Sequence, residues 1–467
     1  MSRVVSTVNL TLVLLLYLPF VLSARQCPNR STSLSASSAV KTTSTVTGSS
    51  TSSVTTTTKT SSSTSTSTSK TTNATTATET ISGFISMAWY PAWHNNAYPP
   101  SSVSWSKYSA MIYAFASTTS DVNTIGLESS DQALLPQFVK TAHANGVLAL
   151  LSIGGWEGSR YFSTAVATSQ NRTKFAQAVV NVVNTYNLDG VDFDWETPAV
   201  QGEGDNTISP QDSPNYLLFL KKLRTLPGAE SLLITAAVLG TTFVGSDGTH
   251  MSDVSGFAGV LDYIAIMNYD IWGSWSSSVG PNAPLADSCA STSHRAGSAT
   301  SAVASWTAAG FPKKQIVLGV PAYGHAFVVS ASDALTSSGG IAAYPPFDTS
   351  LIPTGNSWGG TMCGAADAQV GTYDFFGLIQ CGFLTSKGTA ANGLTYKYDL
   401  CSQTPYVYNS TSNIMVSYDD AASFAAKGSF IKDECLAGFA MWQSGGDSND
   451  ILLNSVKASM GTDAPHC

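Results

Sequence analysis

The chain has 467 residues, of which 43% are hydrophobic and 11% charged, with 22 Lys and Arg against 30 Asp and Glu for a net charge of −8. With that balance and no basic run, nucleic acid and anionic membrane are poor candidates as partners. Ten Trp and 18 Tyr suit a neutral polar polymer held by ring faces and hydrogen bonds better.

Arg3 precedes an apolar run from Leu10 to Leu22, and Leu22-Ser23-Ala24 supplies small residues for cleavage. Residues 1–24 therefore read as a secretory signal peptide, and a secreted, extracellular protein, free or wall-associated, is expected. Asn-x-Ser/Thr sequons at Asn29, Asn73, Asn171 and Asn409 fit that route. The chain ends Ala464-Pro465-His466-Cys467 without an apolar tail, so no lipid anchor is expected there. Seven cysteines in an exported protein predict disulfides with one left over. Cys381 and Cys401 are close enough in sequence to clip one loop, Cys289, Cys363, Cys435 and Cys467 could supply further pairs, and Cys27 stands apart. No two of these cysteines or the six histidines have ligand spacing, so no metal is expected.

Within residues 25–80 the sequence from about Ser31 is almost entirely Ser and Thr, which cannot bury enough apolar surface to offset ordering entropy. It reads as an O-glycosylated spacer. From residue 83 to 467 the texture changes to apolar runs alternating with helical patterns. Eight strands are predicted: Phe84 to Tyr90, Met111 to Phe115, Val147 to Ile153, Gly190 to Glu196, Leu232 to Val238, Tyr263 to Tyr269, Gln315 to Val320 and Ala437 to Trp442. Helices fall between them, such as Gln132 to Ala144, closed by Gly146, and Ala302 to Ala308, closed by Gly310. The expected fold class is α/β, a (β/α)8 TIM barrel. A barrel needs about 250 residues, and the surplus lies between strands seven and eight. Residues 327–430 are read as an inserted α+β lobe beside the active face.

Leu188 to Pro198 is the informative stretch. As a strand, its period of two puts Asp192, Asp194 and Glu196 on one face and Val191, Phe193 and Trp195 on the other. Carboxyls spaced about 6–7 Å apart along the backbone cannot all ionise cheaply, so at least one should hold a proton near neutral pH. A site that must donate a proton gains from this. Helical spacing of Phe175, Val179, Val182, Val183 and Tyr186 upstream, and a second helix from Ser213-Pro214 downstream, bury the strand. Asp189 reads as a turn or strand-start residue.

Other strand ends carry related chemistry: Ser152-Ile153-Gly154-Gly155-Trp156, Met267-Asn268-Tyr269-Asp270 and Met441-Trp442-Gln443. Together with Asp189-Gly190-Val191-Asp192-Phe193-Asp194-Trp195-Glu196 and the run from Gly319 to Gly324, the chain resembles family-18 glycoside hydrolases, specifically secreted fungal-type chitinases with an inserted α+β domain. The resemblance covers nearly everything from Phe84 to Val456. It implies that Glu196 is the general acid and then base. It implies that Asp194 holds the substrate's N-acetyl group and stabilises an oxazolinium, and that Asp192 shares a proton with Asp194. Tyr269 would donate to the acetamido oxygen as that oxygen attacks the anomeric carbon, with Asp270 and Met267 shaping the pocket. Trp442 would floor the cleaved sugar's site, Trp156 and Trp275 would be platforms on the leaving side, and Ser152 and Gly155 would border the site. Ser152 orders the acidic network through a hydrogen bond and performs no chemistry itself. This is the substrate-assisted exception to the two-carboxylate scheme. The implied partners are chitin and chitooligosaccharides, with no cofactor and a monomeric chain.

Duller readings stand beside these. Met267 is equally simple packing, Trp156 and Trp275 could be core, and Trp89, Trp93 and Trp105 are open between core and subsites. Three positions depart from the family's common pattern. Trp89 stands in Ala88-Trp89-Tyr90, where the hydroxyl that often supports Asp192 would be absent; Thr197 replaces a frequent Tyr; and His325, structural or substrate-binding, replaces a frequent Arg. The rival functions are an endo-β-N-acetylglucosaminidase acting on N-glycans, a lectin-like chitin binder without catalysis, and a structural wall glycoprotein.

Overall fold

The computed structural model describes residues 83–202, 204–351, 353 and 371–461. The signal peptide, the Ser/Thr-rich segment, the sequons at Asn29 and Asn73, and Cys27, Cys363 and Cys467 lie outside the described residues.

Eight parallel strands close a barrel: β1 (Ile85–Pro91), β2 (Ala110–Thr118), β4 (Leu148–Gly154), β5 (Gly190–Asp194), β6 (Leu233–Val238), β7 (Tyr263–Ile266), β8 (Ile316–Pro321) and β14 (Gly438–Trp442). Closure is made by β1, which pairs in parallel with both β2 and β14. The short β3 (Ile125–Gly126) adds an antiparallel edge to β2. These strands are the eight expected, and the (β/α)8 barrel is the fold.

Two strands stop short of expectation in ways that matter for the site. β5 stops at Asp194, whose last parallel partner is Gly154, and β7 stops at Ile266 because the chain turns tightly, with Asn268 N donating to Ile266 O. Glu196 and Tyr269 therefore sit on loops just beyond the carboxyl ends of their strands, the position barrel chemistry uses.

Two of the barrel helices show how local chemistry sets their ends. In the helix Ser169–Tyr186, Thr168 Oγ1 accepts the Asn171 N–H and Asn187 ends the helix at φ 55°. Ser298 and Ser301 form a capping box on Ala299–Ala308. Val191, Phe193 and Trp195 turn outward into the helical layer, Phe193 against Phe219 of the helix Asp212–Arg224 and Trp195 stacking on Phe162 with centroids 5.0 Å apart. The barrel interior is filled separately, by Met87, Trp89, Ile112, Leu150, Leu233 and Val317 among others.

The insertion is a five-stranded antiparallel sheet in the order β10 (Thr372–Asp374), β9 (Tyr323–Val328), β13 (Ile414–Ser417), β12 (Thr404–Asn409), β11 (Thr395–Asp399). Its bounds differ from the 327–430 expected. The sheet starts at Tyr323, with only Ala322 between it and β8, and Gly324 lets β9 approach β13 so closely that a Cβ there would lie 2.3 Å from Ser417 O. At the other end, the helix Ala421–Asp433 packs on Ile451–Met460 and on β8 and β14, so it belongs to the barrel layer. The expected Cys381–Cys401 clip is also corrected. Cys401 pairs with Cys289, 112 residues away, tying the loop after β7 to the β11–β12 turn, and Cys381 and Cys435 are disulfide-bonded as well. Nearness in sequence did not decide the partner because Cys381 ends the helix Phe375–Gln380, outside that turn.

Candidate active site

β5 carries Asp192 and Asp194 into the barrel. Asp192 is fully buried and accepts three hydrogen bonds: Trp89 Nε1 at 3.1 Å and Ser152 Oγ at 2.8 Å to Oδ2, and Thr235 Oγ1 at 2.6 Å to Oδ1. Burial raises its pKa, and these three donors oppose that rise. The indole of Trp89 thus takes the place of the hydroxyl that looked absent from the first strand. Ser152 is fully buried beside Asp192, so it orders the acidic network and does not face a ligand, as its place among the substrate-bordering residues implied.

Asp194, also buried, differs sharply. Its Oδ1 makes no hydrogen bond, and burial, then the charges of Glu196 and Asp192, push its pKa well above the usual carboxylate range. Trp89, Ser152 and Thr235 hold Asp192, and its charge is one of the causes that raise Asp194. Glu196, half-buried, is raised from 4.5 to about 7 by burial and by the nearby charge of Asp270. All three carboxyls are raised by burial, but Asp192 alone has three donors opposing the rise.

Gly154 makes this geometry possible. At φ 118° a Cβ would lie 2.3 Å from Asp194 O. Gly154→Ala should therefore destabilise the fold by about 1–3 kcal/mol from backbone conformation alone, with the clash adding to it; a urea midpoint checks this. Gly155, at φ 78°, brings the next turn against the Phe115 ring.

Tyr269 is buried with its ring near Tyr323, and burial, then the negative field of Asp194, Asp270, Glu196 and Asp192, keeps its hydroxyl protonated. Asp270, at φ 56°, accepts from Tyr323 Oη at 2.5 Å and His325 Nε2 at 2.7 Å. His325 is therefore structural in this fold, anchoring Asp270 to the lobe. Trp275 is 61% exposed and stands edge-on to His325 at 5.3 Å.

A cleft of about 820 Å³ opens over Asp194 and Glu196, with Trp93, Trp156, Gly155, Met267, Tyr269 and Trp442 on its walls. A second hollow of about 350 Å³ meets it at Glu196, Met267, Tyr269 and Asp270 and continues past Leu239 and Gly240. Glu196 thus stands where the two join. Trp442 stacks on Phe115 at 5.6 Å, and Phe115 on Trp93 at 5.9 Å, forming an aromatic wall from the barrel floor outward. The three undecided Trp residues separate: Trp105 is core against Phe138, Trp89 supports Asp192, and Trp93, 42% exposed, lines the cleft. Sequence reasoning missed Phe115, Tyr323 and Thr235. Only Thr235 left a signal, as a lone hydroxyl inside the apolar run of β6. Among the described residues no group of three His, Cys, Asp or Glu side chains is placed to hold a metal ion.

Trp89→Phe removes one donor from a buried carboxylate. It should cost about 1.5–3 kcal/mol of stability and move the acid limb of any activity profile to higher pH, because Asp192 then keeps its proton longer. An unmoved limb in a pH–rate series would overturn that role.

Residues 85–447 match the model of glycosyl hydrolases family 18. The chain is 48% identical to a chitinase-like effector from Moniliophthora roreri, covering 81% of this chain and 93% of that protein. It is 42% identical to one from Moniliophthora perniciosa, covering 81% and 88%. A chitinase from Rhizomucor miehei matches in structure with a TM-score of 0.71 at 31% identity, covering 80% of this chain and 99% of the other. Since the family match takes in every barrel strand and the whole carboxyl trio, the chain belongs to glycosyl hydrolase family 18.

Proposed function

We propose that this chain is a secreted, monomeric chitinase that cleaves β-1,4 bonds between N-acetylglucosamine units with retention of configuration. The observation that carries the reading is the pairing of Glu196, raised to about 7, with Asp194, whose buried Oδ1 has no partner within the protein. Glu196 protonates the glycosidic oxygen as the substrate's acetamido oxygen attacks the anomeric carbon. Asp194 Oδ1 accepts the acetamido N–H, and its carboxylate stabilises the resulting oxazolinium. Tyr269 donates its hydroxyl hydrogen to the acetamido oxygen and sets its angle of attack. Glu196, now ionised, takes a proton from water, which opens the ring and restores the acid. The substrate supplies the nucleophile, so no second carboxylate is needed across the sugar ring. Trp442 provides the apolar floor under the distorted sugar, and hollows on both sides of Glu196 admit units on both sides of the scissile bond.

Incubation with chitohexaose and, separately, with an N-glycan tests this. Shorter chitooligosaccharides released first as the β-anomer support the proposal, and cleavage of the N-glycan alone would replace it with the endo-β-N-acetylglucosaminidase reading. A second reading, chitin binding without turnover, draws on the name chitinase-like effector carried by the two Moniliophthora relatives. Binding of chitohexaose with no product would establish it. Against it, Asp192, Asp194, Glu196 and Tyr269 are all present. Export is tested by sequencing the N-terminus of protein recovered from medium, which should begin near Arg25.

A further inference from the structure

We propose that Asn409 is an N-glycosylation site, placed at the end of the inserted lobe away from the cleft, and that Asn171 remains unmodified. The inference rests on the secretory reading of the chain. The two sequons within the described residues sit in opposite environments. Asn409-Ser410-Thr411 enters the hairpin between β12 and β13, with residues 410–413 exposed at its tip. Asn409 Oδ1 accepts the Thr411 backbone N–H at 3.0 Å, an Asx turn that brings the Asn and Thr side chains of the sequon together. That bond uses the amide oxygen and leaves Nδ2 outside the hydrogen bonding of the hairpin. Tyr408 Oη donates to Val329 O and bonds to Asn413 Oδ1, which fixes the tip.

Position follows from register. Along β13, Ser417 pairs with His325, next to Asp270, whereas Ile414 pairs with Val328. The tip therefore lies beyond the end of β9, about 10 Å further from Asp270 at the usual rise per residue. A glycan there breaks no bond within the fold and leaves the cleft open.

At Asn171 both requirements fail. The residue lies in the first turn of Ser169–Tyr186, and its Nδ2 donates to Thr164 O at 2.8 Å. The sequon's hydroxyl is also engaged, Thr173 Oγ1 donating to Ser169 O at 3.0 Å. A sugar on Nδ2 would replace one of its two hydrogens beside the Thr164 carbonyl, and a helix does not present the turn that an acceptor sequon forms in a surface loop.

The donor is a lipid-diphosphate-linked oligosaccharide. The bond between its anomeric carbon and the diphosphate oxygen breaks, the diphosphate leaving with the electron pair. The Asn409 Nδ2–C1 bond forms, and one amide proton passes to a base.

The full chain, exported by a yeast host behind the host's own leader, is digested with a peptide N-glycosidase in heavy-oxygen water and its peptides are weighed. Labelled Asp at position 409 with unlabelled Asn171 is the expected result. Asn409→Gln should lower the mass by one glycan without altering the rate on chitohexaose. Thr411→Ala, which keeps the Asx bond to the backbone N–H, should do the same. An unmodified Asn409, or a glycan on Asn171, overturns the inference. Because the host leader carries the chain, neither outcome bears on residues 1–24, which are tested with the chain's own leader.

Discussion

Glu196→Gln should reduce chitooligosaccharide hydrolysis on the order of 10²–10⁴-fold while leaving the Kd for chitohexaose within about threefold. The amide keeps the shape of the side chain and the contacts of the cleft but has no proton to give. Near-parental turnover would remove Glu196 from the acid's role. The pH dependence should agree. With Glu196 pushed up to about 7 by burial and by Asp270, the parent's activity should fall as pH rises through that value, since the acid must enter protonated. Stability carries the opposite sign for the variant. Below about 4.5 Glu196 is protonated whether the chain is folded or not, so the exchange changes little there. Between about 4.5 and about 7 the unfolded parent ionises while the folded one resists, so the parent loses stability across that window and stays at the lower level above it. The Gln variant should then be the more stable by about 1–2 kcal/mol, with allowance for partial exposure. Thermal melts at pH 4 and pH 8 compare the two.

Asp194→Asn should lower kcat by about 10²–10³-fold, with a smaller effect on binding. The buried Oδ1 is an acceptor with no donor in the protein, and the proposed reaction supplies one in the acetamido N–H and then develops positive charge beside it. Asparagine keeps the volume but carries no charge to offset the oxazolinium, and its own amide hydrogens can face the acetamide as a second donor. Burial and the neighbouring carboxyls already oppose ionisation of Asp194, so the neutral variant should fold at least as stably as the parent. A drop in kcat accompanied by unfolding would point to a structural role. A drop with a raised or unchanged Tm is the expected pattern.

The order of eight strands and the faces of β5 could be read from residue order, because apolar runs and a period of two are local properties of the chain. The outward turn of Val191, Phe193 and Trp195, and the inward turn of Asp192 and Asp194, follow from alternation alone. The aromatic content and the resemblance of the strand ends likewise pointed to a sugar polymer and a barrel. What separates the three carboxyls could not be read this way. Trp89, Ser152 and Thr235 come from three other strands, up to 103 residues from Asp192, and meet it only when the barrel closes. The same closure decided which Trp residues are core and which face the cleft, where the lobe's sheet begins, and that Cys401 pairs with Cys289. Periodicity tells a side chain which way to face, but what it meets there depends on strands brought together from across the chain. A pKa in a buried site is set by those neighbours.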